Sequence, residues 1–154
     1  LGGDLVVATA AIRQEGTSRE YLPLEFPAVA DLDVTNALVT SARTAGRRVH
    51  AGVVQCKDSF YGQHSPDASP VAPRLHYQWQ AWCKGGCLAS EMESAALFIV
   101  GASLGLRTGC VLNAIWNQER AAAGLDNPRA DDTSAAIETA LSALYRLMDT
   151  PLQR

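Results

Sequence analysis

The run Ser90-Glu91-Met92-Glu93-Ser94 sets two carboxylates around a methionine, where a short apolar segment meets an alanine-rich one. Carboxylates are costly to bury unless strong donors meet them, and the adjacent hydroxyls of a ribose are such donors. Upstream, Lys57-Asp58-Ser59-Phe60-Tyr61-Gly62-Gln63-His64 is a second polar cluster, in which an aromatic pair leads into a glycine and an amide. The first cluster suits a sugar and the second a flat heterocycle. Together they suggest a nucleoside pocket.

The elements that must position these clusters are marked by composition and spacing. Residues 5–12 read as a buried strand rich in β-branched and small side chains, and 13–27 as a long loop containing glycine and prolines. A helix over 33–45 carries Val34, Ala37, Leu38, Ala42 and Ala45 at helical spacing, with Asp31 or Asp33 as cap and Gly46 as stop. Residues 49–56 form a second strand, and the polar cluster emerges from its end, where ligands bind in α/β proteins. Three prolines make 65–73 irregular. A helix over 75–84 follows, with Trp79 and Trp82 on one side and Gly85-Gly86 closing it; its aromatics suit a core or a subunit contact better than a base platform. Residues 87–89 read as a short strand leading into the Glu-Met-Glu run, 91–104 as a small-residue helix and 109–116 as an apolar strand. A loop over 120–131 precedes a final helix to residue 148, capped by Asp132-Thr133, whose apolar face holds Ala136, Ile137, Ala140, Leu141, Leu144 and Leu147. Alternating strands and helices predict an α/β fold with a largely parallel or mixed sheet.

Bulk properties narrow the function classes. A chain of 154 residues can bury one domain's core. A net charge of −3, with Arg47-Arg48 as the one basic doublet, argues against a nucleic-acid surface. No apolar run has the length of a membrane span. The opening Leu1-Gly2-Gly3-Asp4 lacks the features of a signal peptide and reads as a cut edge just before a strand. Cys56, Cys83, Cys87 and Cys110 do not complete a zinc set, so they read as buried free thiols of a reducing cytoplasm. His50 and His76 stand in no motif.

Several ordered motifs carry a resemblance. Gly3-Asp4-Leu5-Val6-Val7, Pro23-Leu24-Glu25-Phe26-Pro27-Ala28-Val29-Ala30-Asp31, Asp58-Ser59-Phe60-Tyr61-Gly62-Gln63 and Glu91-Met92-Glu93-Ser94-Ala95 closely match uridine phosphorylases, members of the hexameric nucleoside phosphorylase family. The match runs from Gly3 to about Met148, so the chain resembles the carboxy-terminal portion of a single phosphorylase domain, truncated at its N-terminus. The resemblance implies a mixed, barrel-like central sheet flanked by helices. It also implies cleavage of a nucleoside by inorganic phosphate to free base and ribose 1-phosphate in pyrimidine salvage. The family uses no organic cofactor or metal and no membrane, works in the cytoplasm, and assembles as homo-oligomeric hexamers built from dimers. Its glycine-containing phosphate loop and phosphate-holding arginines would lie upstream of these residues.

Position by position, Glu93 matches the carboxylate that accepts hydrogen bonds from the ribose hydroxyls and is the residue expected to be catalytic. Met92 matches the residue under the sugar, and Glu91 an acidic position beside base and sugar. Phe60 matches the aromatic against ribose or base, and Gln63 the amide that pairs with the uracil edge, where it can both donate and accept. Held hydroxyls would keep the anomeric carbon in line with phosphate, and nearby negative charge would favour an oxocarbenium-like transition state. Read without the resemblance, Glu91 and Glu93 could equally begin a helix, where carboxylates suit the dipole.

Two departures bear on the base. Where one type of the family carries arginines, this chain has Ser65 and Gln118; His64 or a water could supply the missing donor. Purine-cleaving members place a Ser-Asp pair where this chain has Ile115-Trp116, which cannot protonate a purine and whose Trp116 fills the space a purine needs. Uridine is therefore the expected substrate. The alternatives are a purine or methylthioadenosine phosphorylase and a non-catalytic nucleoside-binding fragment.

Overall fold

A computed structural model describes residues 1–149 of the chain. Five strands form one mixed sheet: β1 (Leu5–Gln14), β2 (Ala28–Val29), β3 (Val49–Lys57), β4 (Ala89–Glu91) and β5 (Cys110–Asn113). The order is β2-β1-β3-β4, with β5 also on β1. Strand β1 is antiparallel to β5 along Leu5 to Ala8 and to β2 at Ala10 and Ala11, whereas β3 and β4 are parallel. Seven α-helices and a 3-10 turn at Pro66–Ala68 complete the described residues: α1 (Thr17–Tyr21), α2 (Leu32–Thr44), α3 (Phe60–His64), α4 (Ala72–Lys84), α5 (Ser94–Ser103), α6 (Gln118–Ala122) and α7 (Ser134–Asp149). The expected mixed α/β architecture is what the chain adopts. It falls into two compact units, one of Leu1–Thr9, Ala30–Ala51 and the chain from Gly109 onward, the other of Ala10–Val29 and Gly52–Thr108.

In the first unit, the Asp31 carboxylate accepts from the Val34 amide at 3.0 Å and starts α2, which gives way to Gly46 at φ +67°. Helices α2 and α7 pack together, and Leu5, Val7, Leu38, Ala42, Ala136 and Ala143 are buried at the centre. The buried face of α7 keeps Ala136 and Ala140 of the stripe the sequence pattern suggested but leaves out its large side chains. Ala136, Thr139 and Ala143 point inward, while Ile137, Leu141 and Leu144 are each more than half exposed. Small side chains let α7 lie close to α2, and the Thr139 hydroxyl stays satisfied by donating to the Ala135 carbonyl at 2.7 Å. Gly109 marks a similar close approach, since a Cβ there would stand 2.4 Å from Val34 Cγ1. Strand β5 is shorter than expected because the chain leaves the sheet after Ala114, where the Ile115 carbonyl is taken by the Ala130 amide. The expected loop beyond it contains α6, capped by Asn117.

In the second unit, β1 runs on to Gln14, and the segment expected to be loop is organised by Arg13. This buried guanidinium donates to the Ser18 hydroxyl and to the carbonyls of Ser18, Leu22, Pro23 and Phe26. Helix α1 forms inside that loop and packs against α5, whose Ala95, Phe98 and Ile99 are buried. Helix α4 starts before the predicted point because Pro73 sits in its first turn, where a missing N–H costs nothing. Strand β4 lies two residues later than expected and takes in Ser90 and Glu91, so α5 begins only at Ser94. The four cysteines form no disulfide among the described residues, but only Cys56 is fully buried; Cys83 is exposed, and Cys87 lies beyond α4.

Candidate active site

The parallel register of β3 and β4 sets Gln55 opposite Ser90 and Cys56 opposite Glu91. The carboxyl ends of these strands therefore bring the two polar clusters of the sequence side by side, in the usual place for a ligand in an α/β protein. The Glu91 carboxylate is heavily used. It accepts from the Glu93 amide at 2.7 Å, the Ser94 amide at 2.8 Å and the Ser94 hydroxyl at 2.5 Å. These bonds satisfy donors at the start of α5, as a cap does. Cys56 adds its thiol to Glu91; burial, reinforced by that carboxylate against the Ala95 backbone, pushes the thiol up to about 12, so it stays a neutral donor.

Glu93 occupies the N-cap position of α5 but makes no side-chain capping bond. Its carboxylate receives the Met92 amide at 3.2 Å and is otherwise turned to solvent together with the Met92 side chain. The two acids thus differ: Glu91 shapes the turn, and Glu93 is presented by it.

Lys57, which the sequence reading placed in the cluster without a role, ends β3 and is only 9% exposed. Its ammonium donates to the Ser90 hydroxyl at 2.6 Å. Burial lowers its pKa, while Glu91, then Cys56 and Glu93, oppose that shift. The signal for it was period two: Gln55 and Lys57 fall on one face of a strand, an unusual place for two polar side chains.

Beyond β3, the Ser59 hydroxyl accepts from the Gly62 amide at 3.1 Å and starts α3. One turn brings Phe60 and His64 together, with ring centroids 4.1 Å apart at 32°. Tyr61 meets Phe60 edge-on at 5.7 Å. Phe60 is 52% exposed and so does not serve as core. Burial, aided by Lys57, lowers the His64 pKa and favours the neutral ring. Gln63 lies on the same short helix.

Ile115 and Trp116 belong to the first unit, in the segment between β5 and α6 that Asn117 and Asn127 tie down through reciprocal bonds. Both side chains are exposed. The second unit thus brings together Phe60, Gln63, His64, Glu91, Met92 and Glu93, while Ile115 and Trp116 stand on the other. Among the described residues, no three His, Cys, Asp or Glu side chains group as a metal site requires, and no helix is long and apolar enough to cross a membrane. An exposed carboxylate, a buried ammonium and an aromatic-stacked imidazole can between them bind hydroxyls, carbonyls and a flat ring.

Comparison with known proteins gives a concordant picture. Residues 2–151 match the model of the phosphorylase superfamily. The uridine phosphorylase of Treponema pallidum is 52% identical over 98% of this chain and 59% of its own length. That of Escherichia coli is 37% identical over 95% of this chain and 59% of its own. A guanosine phosphorylase of Halorubrum lacusprofundi is 31% identical over 94% of this chain and 58% of its own. The chain spans about three-fifths of the length of these curated relatives.

Proposed function

The chain belongs to the phosphorylase superfamily, and on that premise we propose that the protein containing it cleaves uridine with inorganic phosphate to uracil and ribose 1-phosphate. The observation that carries this reading is the division of labour at the start of α5, where Glu91 holds the turn and Glu93 is presented. Glu93 accepts hydrogen bonds from the ribose hydroxyls, and Met92 packs under the sugar. Glu91 completes the acidic wall. Gln63 pairs with the uracil edge, Phe60 lies against ribose or base, and neutral His64 supplies a donor to the pyrimidine. Ile115-Trp116, standing where purine-cleaving members of the family carry a Ser-Asp pair, offers no acid to protonate a purine and so favours a pyrimidine.

Gripped hydroxyls hold the anomeric carbon for attack, and the nearby carboxylates favour positive charge developing on the sugar. The departing uracil spreads its charge over two carbonyls, so hydrogen bonds alone can stabilise it. Inorganic phosphate is the co-substrate, and no organic cofactor takes part. We place this activity in the cytoplasm, in a homo-oligomer of the hexamer-of-dimers kind, with residues 1–154 as part of one phosphorylase domain. The names of the Treponema and Escherichia relatives support the uridine assignment.

The test uses the complete reading frame, with uridine and inosine supplied together, with and without phosphate, and the released bases separated by chromatography. Uracil alone, and only with phosphate, is the expected result. Hypoxanthine would overturn the pyrimidine assignment and favour the purine reading that the guanosine phosphorylase relative represents. No base at all would leave a nucleoside-binding protein.

A further inference from the structure

Behind Lys57 runs a line of polar side chains that the proposed substrate contacts do not use. The Trp82 indole N–H donates to Gln14 Oε1 at 3.1 Å, and Gln55 Nε2 donates to the same oxygen at 2.5 Å. The Ser90 hydroxyl donates to Gln55 Oε1 at 2.9 Å, and Lys57 Nζ donates to Ser90 Oγ at 2.6 Å. The line starts on α4 and crosses β1, β3 and β4 before ending on Lys57. All five residues are buried or partly buried and belong to one compact unit.

Its direction is set by chemistry. An indole N–H can only donate, so Gln14 must turn its oxygen to Trp82. That oxygen requires the amide nitrogen of Gln55, which leaves the Gln55 oxygen facing Ser90. The Ser90 proton is then committed to Gln55, and its lone pairs face Lys57. A protonated lysine, which can only donate, fits that end. Every member agrees with its neighbour, and reversing one would set two donors or two acceptors against each other.

We propose that Trp82, Gln14, Gln55 and Ser90 form a polarised relay that presents an acceptor to Lys57 and so fixes the position and charge of its ammonium. They are positioning residues. The charged and titratable groups around the ammonium are Glu91 and Glu93 at the β4–α5 turn, Cys56 on its own strand and His64 on α3. A fixed ammonium steadies the turn that presents Glu93, and this consequence rests on the proposed ribose-binding role of that turn.

The relay is tested in the full-length protein by competitive acetylation with acetic anhydride across pH, read peptide by peptide in a mass spectrometer, with exposed Lys84 as the internal reference. An acceptor that favours the ammonium is worth about one pH unit. Ser90→Ala therefore lowers the Lys57 pKa by that amount, and Ser90→Thr, which keeps the hydroxyl, restores it. Gln55→Leu releases the Ser90 proton and shifts Lys57 the same way. Trp82→Phe frees Gln14 to turn over and gives a smaller shift of the same sign, so the relay is tested even if one variant fails to fold. Folded variants with an unchanged Lys57 pKa would overturn it. In parallel, the alkaline limb of kcat/KM for uridine follows Lys57 to lower pH in Ser90→Ala. A Lys57 shift without a moving limb upholds the relay and overturns its link to the turn. A parent protein without phosphorolysis refutes the proposed function, and the acetylation still decides the relay.

Discussion

His64 and Phe60 stack one helical turn apart on α3, with ring centroids 4.1 Å apart at 32°, and the burial that accompanies this holds the imidazole pKa below its usual 6.5. The nearby Lys57 ammonium acts in the same direction. Because the folded pKa is depressed, the associated stabilisation is complete above the unfolded value near 6.5 and is lost as pH falls through the folded one. On the proposed role of His64 in uridine cleavage, the acid limb of kcat/KM is expected below pH 6.5. Phe60→Ala, which uncovers the ring, moves the His64 titration back toward 6.5 in an NMR experiment. An unchanged titration would show that the stacking does not govern it.

Glu91 and Glu93 should respond differently to substitution. On the proposed ribose-binding role, Glu93→Ala removes a presented carboxylate and with it two charge-assisted bonds to the sugar, so kcat/KM for uridine is expected to fall by about 10²-fold with the melting temperature unchanged. Glu91→Gln weakens bonds that start α5, so it costs about 1 kcal/mol of stability as well as activity. Steady-state kinetics and thermal melts of the two variants separate these roles. Equal losses of stability would contradict the assignment.

Asp4 gives an acid-side prediction. Burial pulls its pKa up, but the bonds it accepts, led by that from His50 and joined by that from Arg48, outweigh it and hold the carboxyl below its usual 3.8. Its folded value lies below the unfolded 3.8, so its contribution is present above that pH and is lost as pH falls through the folded value. Asp4→Asn is expected to lower stability by about 1 kcal/mol at pH 7, after allowing for the solvent around Arg48 and His50, and to flatten the acid-unfolding curve in that window.

On α7, the two faces should respond in opposite senses. Ala143→Leu forces bulk against α2 and is expected to cost about 1–3 kcal/mol in denaturant unfolding. Leu141→Ser, on the outer face, leaves unfolding within about 0.5 kcal/mol of the parent. A larger loss at Leu141 would restore the face that the sequence pattern suggested.

The contrast on α7 shows where sequence reading reaches its limit. The predicted stripe joined Ala136 and Ala140 to Ile137, Leu141 and Leu144, because hydrophobicity favours the larger side chains, whereas the buried face joins Ala136 to Thr139 and Ala143. The closeness of α2 selects the smaller ones, and that distance is a property of the partner. Glu91 was legible as chemistry, but its strand position was not, since a short strand running into a turn has too few residues to show a period. Arg13 was read as the start of a loop because five acceptors contributed by a later stretch of chain leave no mark on the arginine itself. The end of α2 at Gly46 and the Ser59-to-His64 cluster were readable because their determinants are local.

The burial of Cys56 gives the β3–β4 pair a reporter of its own. A thiol held near 12 and shut away from solvent is inert to disulfide reagents while the strands stay together, whereas exposed Cys83 reacts in the native state. The slow phase of thiol modification therefore clocks how often the floor beneath Glu91 opens, and a nucleoside seated on that floor would lengthen the interval.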